Sequence, residues 1–178
     1  MRKTFGYFWS LFGFAICVLV VAFFLKALVF QPFVVDGYSM EPSYHDKEYL
    51  VVNKFVYRVE NPEHTDVVVF RPPDHPELTY IKRVIGLPWD TVKISSGKVY
   101  VNGVILTENY LQGGNTTLVD GDEKVVLERK LKDNEYFLMG DNRAHSTDSR
   151  YFGAVPKENI IGKAWITVYP TADFGWAK

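Results

Sequence analysis

The sequence predicts a mostly β protein carried on one N-terminal transmembrane helix. Three observations lead there. The chain opens with a long apolar run, short Val-, Ile-, Tyr- and Phe-rich segments punctuated by turn residues follow it, and few later segments show a helical period. The 178 residues correspond to one domain or slightly more. With 47% hydrophobic and 23% charged residues the chain buries a core, which excludes a disordered or collagen-like protein. A net charge of -1 argues against a nucleic-acid partner, which would call for a basic surface. A single cysteine, Cys17, excludes an internal disulfide, and His45, His64, His75 and His145 have no spacing typical of a metal site.

The first element is the membrane segment. Leu11 to Leu25 gives fifteen residues without a charge, and Tyr7 to Phe30 gives 24 residues interrupted only by Lys26. About 20 residues of helix cross a bilayer core. Lys26 sits where its stem reaches the headgroups, and Arg2 and Lys3 flank the other end. Residues 1–30 carry +3 and the remainder -4, and with Arg2, Lys3 and the amino terminus at the near end the positive-inside rule places residues 1–6 in the cytoplasm. The expected organisation is a cytoplasmic N-terminus over 1–6, a span over 7–30 and an extracytoplasmic domain over 31–178. A cleavable secretory signal is the competing reading of the same run. Its apolar core would be too long, and Gln31-Pro32-Phe33 is a poor cleavage site with no small-x-small pair.

After Phe30 the expected strands are Tyr49–Tyr57, Asp66–Arg71, Thr79–Ile85, Thr91–Ile94, Lys98–Val101, Val104–Thr107, Val125–Leu131, Glu135–Met139 and Ala164–Tyr169. Asn102-Gly103 is a type I′ hairpin signal, and Ser95-Ser96-Gly97 marks another tight turn. Tyr110 to Glu123 reads as a flexible loop and Arg71 to Pro76 as a stiffer one. This pattern suits a barrel or folded sheet better than an evenly spaced sandwich.

Lys82 is the odd residue of this domain, since it lies inside the apolar strand Tyr80-Ile81-Lys82-Arg83-Val84-Ile85. Lysine is rarely buried unless paired. It reads either as an edge-strand lysine that discourages aggregation or as a desolvated, neutral amine acting as a base. Lowering its pKa from about 10.4 to about 8 costs roughly 3 kcal/mol, which a domain of this size sustains. Ser39, in Gly37-Tyr38-Ser39-Met40-Glu41-Pro42, is either a turn serine or the nucleophile such a lysine would activate. A Ser-His-Asp triad is disfavoured because His64 and His75 sit in loop-like, Pro-rich surroundings. The polar run from Gly140 to Arg150 reads by itself as a structural loop. In it Asp141 would satisfy backbone donors and Asp148 would pair with Arg150.

Taken in order after one membrane span, these stretches resemble the bacterial type I signal peptidases, membrane-bound serine proteases with a serine–lysine dyad. Ser39-Met40-x-Pro42 looks like their nucleophile box and Tyr80–Gly86 their lysine box. Gly140-Asp141-Asn142-Arg143, then Ser146, Asp148-Ser149-Arg150 and Gly153, look like their last box. The match runs from about Gln31 to Tyr169 and suits the compact single-span members. The resemblance implies that Ser39 forms an acyl-enzyme and that Lys82 is its general base. It implies that Ser146 orients the Lys82 amine, that Asp148 and Arg150 keep the site in shape, and that Asp141 and Arg143 brace the same loop. Met40 would pack beside the site, and Phe33, Val35 and Ile81 would line shallow apolar pockets for Ala-x-Ala before the cut bond. It further implies no cofactor or metal. Its partners would be preprotein signal peptides and membrane lipid, near the secretion translocon, at the plasma membrane. Two departures stand out. Gly37 replaces a hydroxyl residue that donates to the oxyanion in some members, and Ala144-His145 stands where Asp or Asn is frequent.

Overall fold

The computed structural model describes residues 12–23, 29–111 and 126–176. Residues 12–23 form a helix, α1, with exposed side chains throughout, Phe14 and Phe23 each at 70%. No helix among the described residues is long and apolar enough to cross a membrane. Residues 1–11 and 24–28, which the expected span also uses, lie outside the described ones. One boundary is corrected. Phe30 does not end a helix but opens strand β1 (Phe30–Val34), which pairs antiparallel with β2 (Tyr49–Asn53). Pro32 reads as a strand breaker, yet β1 is the edge of its sheet, where a missing N–H removes no ladder bond.

The expected strand Tyr49–Tyr57 is also shortened. Asn53 Oδ1 accepts from the backbone N–H groups of Phe55 and Val56 at 3.0 and 3.2 Å, and this local turn leads into a single-turn helix, α2 (Val56–Val59). The main sheet continues with β3 (Val67–Phe70) and β4 (Tyr80–Gly86). A second sheet follows, made of β5 (Thr91–Ser95), β6 (Lys98–Val101), β7 (Val104–Ile105) and β8 (Leu127–Lys130). The chain then returns to the main sheet through β9 (Glu135–Met139), α3 (Ser149–Phe152), β10 (Val155–Pro156), β11 (Ile160–Tyr169) and β12 (Gly175–Trp176).

The main sheet runs β1-β2-β11-β3-β4-β9-β10 with β12 paired to β11, and the second runs β7-β6-β5-β8. The mostly β expectation holds, with the main sheet curled into a half-barrel. Both predicted hairpin turns form. Asn102 and Gly103 have φ of 52° and 82°, and Ser96 and Gly97 have 50° and 70°, the left-handed pairs a type I′ turn requires. The expected strands do not include β10 and β12, which are two residues each, or β1, of which only Phe30 falls in the expected span.

Period-2 alternation places Val67, Val69 and Ile81 on one face with Met40, Tyr44 and Leu50. Val68, Phe70, Val84 and Leu138 lie on the other with Tyr136 and Val155. Ile85, Val92, Ile94, Leu131, Phe137 and Met139 form a third cluster joining the two sheets. β4 is therefore buried continuously from Ile81 to Gly86, and any polar residue on it inherits a dry environment.

Candidate active site

Lys82 occupies the middle of β4, opposite Val68, and is 3% exposed. Its Nζ lies 2.6 Å from Ser39 Oγ and 2.9 Å from the Ile81 carbonyl oxygen, with the Tyr80 ring centroid at 5.3 Å. Burial lowers the Lys82 pKa to about 8. Asp148 and Asp141 pull it upward and Arg150 pushes it down, but loss of hydration outweighs them. This settles the local ambiguity of the sequence: Lys82 is an interior lysine, not an edge-strand one.

Ser39 is delivered by the loop between β1 and β2. The loop is pinched shut by Val35 N–H on the Glu48 carbonyl and Lys47 N–H on the Val35 carbonyl, both 2.8 Å. Gly37 takes φ of 93° and donates its N–H to Asp46 Oδ1 at 2.7 Å, a bend that a side chain at Gly37 would strain. That N–H in turn holds the Asp46 carboxyl below its ordinary pKa. Met40, fully buried, anchors the other side of the serine. Asn142 fixes the carbonyls on either side of the Ser39 N–H, donating from its backbone to Ser39 O (3.0 Å) and from Nδ2 to Tyr38 O (3.1 Å). The Ser39 N–H itself has no acceptor among the described residues.

The loop from Gly140 to Arg150 packs over this pair. Gly140 is required by close approach: a Cβ there would stand 2.2 Å from Ser146 Oγ and 2.4 Å from Ser39 O. Asp141 forms a two-bond pair with Arg83, the neighbour of Lys82, at 2.9 and 2.6 Å. Asp148 pairs with Arg150 through two bonds of 2.8 Å, accepts from Gly140 N–H at 3.1 Å and caps α3. Arg143 donates to Gly140 O at 3.0 Å and pairs with Glu108. Ser146 is buried beside Gly140, but among the described residues its hydroxyl has no hydrogen-bond partner, Lys82 included, and Ile81 O is the amine's second partner.

A cleft of about 300 Å³ opens at Ser39. Phe33 and Ile81 line it, together with Val34, Tyr38, Thr79, Tyr80, His145 and Thr147. Val35 and Met40 do not line it; at 1% and 0% exposure they pack in the core beneath Ser39. No group of three or more His, Cys, Asp or Glu side chains among the described residues is placed to hold a metal ion. Sequence reasoning missed Glu108, Asn142 and Asp46. Asn142 stood in a quoted motif, whereas Glu108 and Asp46 are isolated acids without any local signal.

Three comparisons bear on this constellation. The family model described as "Signal peptidase, peptidase S26" matches residues 8–169. The chain belongs to the signal peptidase family, peptidase S26. It is a signal peptidase I type serine peptidase. Signal peptidase I V of Bacillus subtilis is 38% identical, over 91% of this chain and 96% of its own length. A probable signal peptidase I-2 of Synechocystis is 35% identical, over 90% of this chain and 72% of its own. A signal peptidase I crystal structure from Enterococcus faecalis is 31% identical, covering 59% of this chain and 97% of that one, with a TM-score of 0.45. The family supports cleavage of signal peptides as the activity of this serine peptidase.

Proposed function

We propose that this peptidase cleaves exported preproteins after Ala-x-Ala, with Ser39 as nucleophile and Lys82 as its general base. The observation that carries the reading is the 2.6 Å approach of a buried Lys82 amine to the Ser39 hydroxyl. In the neutral dyad the Ser39 O–H donates to Lys82 Nζ. As Oγ attacks the scissile carbonyl, that proton moves to the amine, and the carbonyl carbon becomes tetrahedral. The Ser39 N–H, whose flanking carbonyls Asn142 fixes, is left to donate to the developing oxyanion. With glycine at position 37 there is no side-chain hydroxyl from that residue to add to it. The Lys82 ammonium then gives its proton to the leaving amine, which departs as the new N-terminus of the mature protein. Neutral again, Lys82 takes a proton from the water that hydrolyses the Ser39 ester.

Phe33 and Ile81 at the cleft support a preference for small residues before the cut, because a shallow apolar wall rewards a methyl group and excludes bulk. The exposed apolar side chains of α1 support an anchor that holds the catalytic domain outside the plasma membrane, with residues 1–6 cytoplasmic. Ser39 follows Phe30 by nine residues, at most about 30 Å of extended chain, which suits a preprotein still held by its own signal helix near the translocon.

The test is a detergent-solubilised preparation incubated with a precursor carrying an Ala-x-Ala site, beside the Ser39→Ala variant. Cleavage after the last alanine by the parent and not by the variant is the expected result. A precursor bound but left intact by both would instead make the protein a binder of preproteins.

A further inference from the structure

We propose that Glu108 and Tyr110, on the segment that leaves the second sheet, are positioning residues that hold the 140–150 loop in register with Ser39 and Lys82. This rests on the serine–lysine reading above and names the part of the molecule that sets its geometry.

The segment is anchored to the cluster between the sheets, where Leu106 and Tyr110 both pack. From there Glu108 reaches Arg143, accepting from Nη1 at 3.2 Å and also from Nη2. The Arg143 side chain is 1% exposed and that of Glu108 12%, so this is an interior pair rather than a surface one. The Tyr110 hydroxyl donates to Glu108 Oε1 at 2.9 Å, and its ring lies 4.2 Å from the guanidinium carbon of Arg83. Two residues on one segment thus hold two arginines, and each arginine is tied to the catalytic groups. Arg143 donates to the Gly140 carbonyl. Gly140 is the residue whose closeness to Ser39 O and Ser146 Oγ excludes even a methyl group. Arg83 follows Lys82 on β4 and holds Asp141.

The geometry separates positioning from substrate contact, since neither Glu108 nor Tyr110 lines the cleft. Removing the Glu108 charge takes a carboxylate away from the buried Arg143 guanidinium, and the loop relieves this by moving. A displacement on the order of 1 Å at reacting groups costs about 100-fold in rate. Movement also admits water to Lys82. That amine is faced by Ser39 from the nucleophile loop, by Tyr80 on its own strand, and by the charges of Asp141, Asp148 and Arg150 from the catalytic loop. Hydration favours the ammonium, so the pH at which activity appears moves upward.

The experiment measures kcat, KM and the pH midpoint of kcat for Tyr110→Phe and Glu108→Gln on a precursor. It is run well below the thermal midpoint, with near-ultraviolet circular dichroism reporting the folded fraction. The expected result for folded Glu108→Gln is a fall in kcat of about tenfold or more, KM within about twofold and a raised pH midpoint. Tyr110→Phe shows the same signs at several-fold smaller amplitude. Wild-type kcat and midpoint in the folded variants overturn the proposal, as does a loss of kcat that follows the folded fraction alone. Tyr110→Phe keeps its ring on Arg83 and decides the matter if Glu108→Gln does not fold. A Ser39→Ala control that still cleaves would refute the dyad itself, an outcome distinct from either of these.

Discussion

Lys82 shows how one side chain is governed by the strand that carries it. Its pKa of about 8 in the fold lies below the ordinary lysine value of 10.5, and burial is the main cause. In the proposed dyad the neutral amine is the base, so activity is expected to rise with pH through an apparent midpoint near 8 and to fall about tenfold per unit well below it. A flat pH–rate profile across that range would contradict the assignment, as would wild-type activity in Lys82→Ala. The same displacement has a stability sign. Below pH 8 the lysine is charged in both states, and the folded state carries the full cost of burying it. Between 8 and 10.5 only the unfolded chain holds the proton, so the cost fades as pH rises through that window. Lys82→Met is therefore expected to raise stability at pH 7 by up to about 3 kcal/mol, a gain lost above pH ~10.5, in denaturant titrations at the two pH values.

Two elements carry predictions of their own. β9 ends at Met139, and Gly140 continues it into contact with Ser39 O and Ser146 Oγ. Gly140→Ala is expected to leave the strands intact by far-ultraviolet circular dichroism while lowering kcat at least tenfold, because backbone is among the atoms that would have to give way. Intact activity there would show the approach to be looser than described. The β4–β5 turn breaks a local rule. Asp90 N–H bonds to Leu87 O at 3.1 Å with Pro88 and Trp89 between them, and Trp89 takes φ of 72° at the position of a type II turn that favours glycine. Trp89 is 65% exposed, so little burial offsets this. Trp89→Gly is expected to stabilise the protein by roughly 1 kcal/mol, read as a higher denaturant midpoint with unchanged activity.

At the scale of the molecule, a basic N-terminal run precedes an acidic β domain, and α1 exposes Phe, Leu and Val along its described length. The proposed anchor predicts that the full chain floats with lipid vesicles in a density gradient and resists carbonate extraction. Protein lacking residues 1–28 is expected to stay in the aqueous fraction and keep its strand signal. Equal flotation of the two forms would transfer membrane binding from the N-terminal segment to the β domain.

Legible in the sequence were the β character, the type I′ turn at Asn102-Gly103, a second tight turn at Ser95-Ser96-Gly97, and the residues proposed to carry the chemistry. These depend on local rules: alternation along a strand, left-handed φ at Asn-Gly and Ser-Gly, and recognisable short motifs around Ser39, Lys82 and Asp148. What those residues touch follows from the packing of strands and loops far apart in the chain. The local pattern left Lys82 poised between edge and interior until the strands on either side of β4 and the packing on its faces removed its water. The same packing placed Val35 in the core with Met40 instead of in the cleft, because residues of one loop are divided between faces by how the loop folds over the sheet. It also brought Glu108 to Arg143 across 35 positions. Such contacts join residues far apart in the chain, and their energies arise from burial that exists only once the sheets have closed around them.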